Sequence, residues 1–323
     1  MKKESFPNPD IKPSQEIERL SEIDMVEEFE AREAHVSLEI FYTAHLTASD
    51  FIGLHEKIEQ ADIFVPEVFG WAKDVQREFQ KVANGEKEPH EFLDYFDLSP
   101  ERFAQYDAML GMLEALYKTK KRVAMVDVPT KHAIEGKFYA EPDLIKTLNQ
   151  KEKKEKIEAF KDYLQHEEDV QTEREGFITD QLKALIAEET EKNNKRDVRV
   201  VMFLGSIHSR VFHTMKREGV DVSRDYPVGP YVFNFIQEAK RRAMFGKELP
   251  EDLITRAIAQ WYLETFILTP EARELTPLEH GQFHRFVIGE LSDEEINGIV
   301  SIPSIKKGVE KLKETLFGLE GTA

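Results

Sequence analysis

From residue 35 onward the chain alternates between short apolar runs and longer amphipathic stretches. Four runs are rich in β-branched and aromatic residues and too short for buried helices: 35–42 (HVSLEIFY), 62–68 (DIFVPEV), 122–128 (RVAMVDV) and 198–204 (VRVVMFL). Near-continuous hydrophobicity is what a strand covered on both faces carries. The pattern therefore predicts an α/β fold with a mainly parallel sheet of at least four strands, covered by helices. Residues 47–60 read as a helix between the first two strands. Before the third, Ser99-Pro100-Glu101 supplies a cap and a first helical proline, followed by Phe103, Tyr106, Met109, Leu110 and Leu113 at helical spacing. Half of residues 151–192 are charged, yet Ile157, Phe160, Tyr163 and Leu164, then Ile178, Leu182, Leu185 and Ile186, form apolar stripes. This spacing predicts one or two long crossover helices whose charges make up the solvated face.

Beyond residue 225 the strand signals fade. Residues 226–233 (YPVGPYVF) read as a loop into a helical tail, in which Thr276 and Ser292 each head a capping box. The expected organisation is an acidic arm or surface helix over 1–33, an α/β core with the active site over 34–230, and a helical region over 231–323. That tail is expected to cover the sheet or an opening of its cleft. It could equally pair with a second copy in a homo-oligomer.

Composition narrows the chemistry. Lys and Arg number 44 against 62 Asp and Glu, a net charge of −18 that repels phosphate backbones and anionic bilayers, so neither nucleic acid nor membrane is an expected partner. The opening MKKESFPNPD lacks the apolar stretch of a signal peptide, and no later run is long enough to span a bilayer. The expectation is a soluble, cytoplasmic protein. The chain has no cysteine, which removes disulfides, thiol catalysis, Cys-ligated zinc and iron–sulfur clusters. Any metal centre must be built from imidazoles and carboxylates.

Such side chains fall where the strands end. His45 follows the first (YTAH), Glu67 ends the second, Asp127 ends the third, and His208 follows the fourth (LGSIH). In an open parallel sheet the carboxyl ends share one edge, and ligands bind in the crevice outside it. Grouped there, His45, Glu67, His208 and Asp127 would suit a divalent Zn, Mn or Fe ion with a bound water as nucleophile. Without a metal the same set is a His general base oriented by a carboxylate. Taken singly, each has a plainer role as a cap or turn residue. Gly205, directly after the fourth strand, permits a tight turn and close approach of backbone N–H groups to a ligand. Arg174 lies one turn before Ile178 on nearly the same helix face. Its guanidinium must therefore meet Glu67, Asp127 or a substrate anion.

The stretches AHLTASDFIGLHEKIEQADIFVPE, KRVAMVDVP, EREGFITDQLKAL and VRVVMFLGSIHSRVF resemble one superfamily over about residues 38–219. It joins TraB/PrgY proteins, Tiki peptidases, ChaN-type haem-binding proteins and the erythromycin esterases. Its pattern has two Gly-x-x-His motifs after strands, a glutamate ending the second strand, and an Arg-containing helix ahead of the last motif. The second motif, Gly205 to His208, is intact, whereas Tyr42 stands where the first motif has glycine. The resemblance implies an active site lined by His45, Glu67, Arg174 and His208, with Glu175 as a further acidic residue. It also implies hydrolysis of a peptide or ester bond in a small-molecule or peptide substrate. The alternative it carries is a binding protein for a small molecule or haem, with the Tyr42 phenol as axial ligand or plug.

Other candidates are poorer. His280 and His284 share a helix face at i, i+4, but Gln282 lies between them and no HExxH pattern is present, so they read as a surface pair. His166-Glu167 lacks a second histidine. Phosphate-binding loops, G-x-G-x-x-G after a strand and G-x-S-x-G are absent from the sequence.

Overall fold

A computed structural model describes residues 35–43, 51–99, 106–140, 142–192, 197–226, 233–267 and 277–318, without the side chains of 277–282. The expected arm over 1–33, His45, residues 100–105 of the capped helix and the Thr276 cap lie outside the described residues. Five strands form one all-parallel sheet in the order β3-β2-β4-β1-β5. They are β1 (Val36–Thr43), β2 (Ile63–Val65), β3 (Arg122–Val123), β4 (Val198–Gly205) and β5 (Asp221–Asp225). The chain is thus an α/β protein, with one strand more than the four apolar runs. β4 lies between β1 and β2, in register with β1 from Val36 beside Val198 to Thr43 beside Gly205.

Alternation along the strands sends side chains to two cores, as expected of a sheet covered on both faces. Phe41, Phe64, Val201 and Phe203 pack against α1 (Leu54–Gln60), α2 (Lys73–Asn84), α3 (Pro89–Tyr95) and α4 (Tyr106–Leu116). Leu38, Ile40, Tyr42, Val65, Val200 and Met202 pack on the other face. They meet Ile178, Leu182 and Leu185 of the long helix α7 (Lys153–Lys192), and Val211 and Met215 of α8 (Ser209–Arg217). Two short helices, α5 (Ala133–Tyr139) and α6 (Leu144–Leu148), precede α7.

The charge-dense stretch is one unbroken helix of 40 residues, about 60 Å long at 1.5 Å per residue. Its two apolar stripes serve different cores. The second stripe covers the sheet. The first, Ile157, Phe160, Tyr163 and Leu164, is buried among the C-terminal helices α9 (Phe235–Met244), α10 (Glu251–Phe266), α11 (Pro277–Gly289), α12 (Asp293–Val300) and α13 (Ile305–Phe317). The tail therefore packs on the first half of α7 rather than on the sheet, whose two faces are already covered by α1–α4 and by α7 and α8. Within this second core Lys156 is fully buried. Its ammonium donates to the Tyr262 hydroxyl at 3.0 Å and to the carbonyls of Val300 (3.2 Å) and Ile302. Burial pulls its pKa down to about 8. Among the described residues no helix is long and apolar enough to cross a membrane.

Candidate active site

The carboxyl edge of the sheet gathers charged side chains from three strands and one helix. Glu67 lies two residues past β2. Asp127 lies four residues past β3, in a bend, and His208 ends the 3-10 turn Ser206–His208 that follows β4. Across from them α7 contributes Arg174 and Glu175. Asp127, Glu175 and His208 are at most 2% exposed and Arg174 6%, so these charges can persist only by pairing.

Arg174 is the hub. Its Nε donates to Asp127 Oδ1 at 2.9 Å, and its Nη2 donates to Asp127 Oδ2 and to Glu67 Oε1, the latter at 2.7 Å. Burial opposes its charge, but Glu67 and Asp127 outweigh that and raise its pKa further. Its planar group stands 4.9 Å from the centre of the Phe69 ring. Arg174 Nη1 faces His208 Nε2 at 3.2 Å and bonds no described carboxylate. Glu67 is held in turn by the Gly205 N–H on its Oε2.

His208 is sandwiched between carboxylates. Its Nε2 is 3.1 Å from Glu67 Oε1, and its Nδ1 is 3.4 Å from Glu175 Oε1. Burial alone would favour the neutral ring. The Glu67 charge, opposed in part by Arg174 and reinforced by Glu175, reverses that and raises the pKa to about 9. In the imidazolium Nε2–H can bond Glu67, while Nδ1 lies 3.4 Å from Glu175 Oε1 without the geometry of a hydrogen bond. In the neutral ring Nε2 can instead accept from Arg174 Nη1.

Beside the cluster lies a cavity of about 520 Å3. Glu67 and Arg174 line one end of it, and Phe79, Phe92, Phe96, Met112, Phe203 and Trp71 supply much of the wall. Gly70, at φ 69°, turns the segment after Glu67 back toward β3, where its N–H bonds the Val128 carbonyl at 2.8 Å. A β-carbon there would come within 2.9 Å of Glu135 Oε1, and Trp71 then donates its indole N–H to the Asp127 carbonyl at 2.6 Å.

Of the residues singled out from the sequence, Glu67, Asp127, Arg174, Glu175, Gly205 and His208 come together, while His45 lies outside the described residues. Gly205 needs no glycine conformation: its φ of −62° and ψ of 140° are open to any residue, and its N–H serves Glu67. Tyr42 is fully buried, donates its hydroxyl to the His208 carbonyl at 3.2 Å and stacks on Tyr226. Burial raises its phenol pKa, so it braces the His208 turn and is a poor candidate for an axial phenolate. His284 is buried rather than superficial, with Nδ1 2.7 Å from Glu264 Oε1 in the helical region, far from a surface pair. Arg210 is an addition the sequence reading lacked. It pairs with Glu168, and its Nε is 3.6 Å from Glu175 Oε2; its position two residues after His208 on the helix that opens there was the available signal.

Among the described residues no group of three His, Asp or Glu is placed to hold a metal ion, and the Arg174 guanidinium bridges Glu67 and Asp127. No family model, curated protein or solved structure matches the chain.

Proposed function

We propose that the protein is a hydrolase that cleaves an ester or peptide bond of a substrate seated in the 520 Å3 cavity, in line with the superfamily resemblance. One observation carries this reading: Glu67 and Arg174 belong both to the buried charge cluster and to the cavity lining. Glu67 is the carboxylate of the cluster that a cavity water can reach, and it takes the proton as the water oxygen attacks the carbonyl carbon. Arg174 Nη1 faces the oxyanion that forms, and the proton then passes to the leaving group. His208 and Gly205 hold Glu67 in position, and Asp127 holds Arg174. His45 completes the candidate set. No step is routed through a metal.

Glu67→Gln is expected to lower hydrolysis of a panel of aromatic esters and peptides by about 100-fold or more, with the unfolding midpoint and circular dichroism retained. Unchanged rates in both Glu67→Gln and His208→Ala would count against the reading. One equivalent of zinc, manganese or iron in the purified protein would replace it with the metal-bound arrangement. A second reading, ligand binding without turnover, is favoured by the three hydrogen bonds that Glu67 accepts from Arg174, His208 and Gly205, which weaken it as a base. A cavity ligand bound by wild-type protein with no hydrolysis of any panel member would select it. A visible absorption titration with haem tests the haem form of that reading, and Tyr42, which is not among the cavity's lining residues, lends it no support.

A further inference from the structure

The lining of the cavity says what class of molecule it takes. Resting on the hydrolase reading for the reacting end, we infer that the cavity selects an uncharged aromatic group and rejects carboxylates and phosphates. Its walls are rings and thioethers: Phe69, Phe92, Phe96, Phe203, Trp71 and Met112 among the described residues. Such a surface offers dispersion and ring-to-ring contact to a flat apolar group. Among the described lining residues Glu67 and Arg174 are the only charged ones, and they are paired with each other.

Neither offers an unmatched positive charge to a ligand that arrives as an anion. The charge of Arg174 is already matched by Asp127 and Glu67, and that of Arg210 by Glu168 and Glu175. Around Arg174, the carboxylates of Glu67, Asp127, Glu168 and Glu175 face Arg174, Arg210 and His208. Among the described residues acids outnumber bases there even with the His208 imidazole charged. A ligand carboxylate would lose its water in an apolar cavity next to a surplus of negative charge and find no unmatched cation among the described residues. A neutral carbonyl compound loses little, and its oxygen can meet Arg174 Nη1, which bonds no described carboxylate. The chain thus uses the same surplus to position its reacting group and to filter what reaches it.

Trp71 makes the idea measurable, since the chain has 2 Trp and the other, Trp261, lies in the helical region. In a Trp261→Phe background, Trp71 fluorescence is titrated with N-benzylacetamide and with phenylacetate, and kcat/KM is compared for phenyl acetate and 4-acetoxybenzoate. The neutral probe is expected to change the emission saturably, with the anion at least tenfold weaker in both binding and turnover. Ala108→Leu, which narrows the cavity, should weaken the neutral probe; Val75→Phe is the alternative should that variant fail to fold. Equal or tighter binding of the anion, or no binding of the neutral probe, overturns the inference. Neutral binding without turnover leaves it standing and removes the hydrolase reading, whereas turnover that favours the anion does the reverse.

Discussion

Arg174 illustrates what one buried charge commits the molecule to. Removing it strands Asp127, 1% exposed, without its cation and takes one of its partners from Glu67. Breaking a buried pair in this way typically costs about 3–5 kcal/mol, and Arg174→Ala is expected to lose that much in urea unfolding. Arg174→Lys should recover little, because an ammonium cannot span Asp127 and Glu67 with a planar fork. Two other residues set opposing pH dependences. The folded pKa of His208, about 9, lies above its usual 6.5, so its contribution is complete below about pH 6.5 and is lost as pH rises through 9. Lys156 is depressed from 10.5 to about 8, so between those values only the unfolded chain holds the proton, and stability rises with pH. Stability profiles from pH 6 to 10.5 should separate the two. His208→Gln is expected to abolish the loss between 6.5 and 9, and Lys156→Met the gain between 8 and 10.5. If neither variant differs from wild type in slope, the two buried groups are not the source.

At the scale of elements, α12 offers the cleanest local test. Ser292 accepts from the Glu295 N–H while the Glu295 carboxylate accepts from the Ser292 N–H, a reciprocal cap, and Ser292→Ala should cost about 1 kcal/mol. That cap was legible in the sequence, as were β1 and β4, because their apolar runs are long and covered on both sides. β5 was not: Asp-Val-Ser-Arg-Asp is an edge strand with no fully buried residue, so no hydrophobic period marks it. The helices α2 and α3 also went unread between the second and third strands, although Phe79, Val82, Phe92 and Leu93 give them buried faces. The charged part of the site followed from one rule, that parallel strands share a carboxyl edge, together with the position of Arg174 one turn from Ile178. The cavity could not be foreseen in this way. Its walls come from several strands, helices and loops at once, and only packing brings Trp71, Phe79, Phe92 and Phe203 together.

Across the whole molecule, division along the chain and division in space differ. α7 begins in the helical core and ends on the sheet, so the residues expected to form one α/β unit contribute Ile157 and Phe160 to the other body. A second consequence concerns time rather than space. β1 pairs only with β4 and β5 among the described strands, and β2 has only β3 beside it until β4 arrives. During synthesis the first strand must wait until residues 198–205 have been made, with long-range pairing that slows folding and exposes apolar edges meanwhile. A chain stopped at residue 195 is therefore expected to aggregate and to lack a cooperative unfolding transition, which solubility and denaturant titration would reveal. In refolding of the full chain, helical circular dichroism should return before Trp71 emission. The strand that closes the sheet also brings Gly205 and His208 to Glu67, so in a nascent molecule the buried charge cluster is not assembled until its architecture is finished.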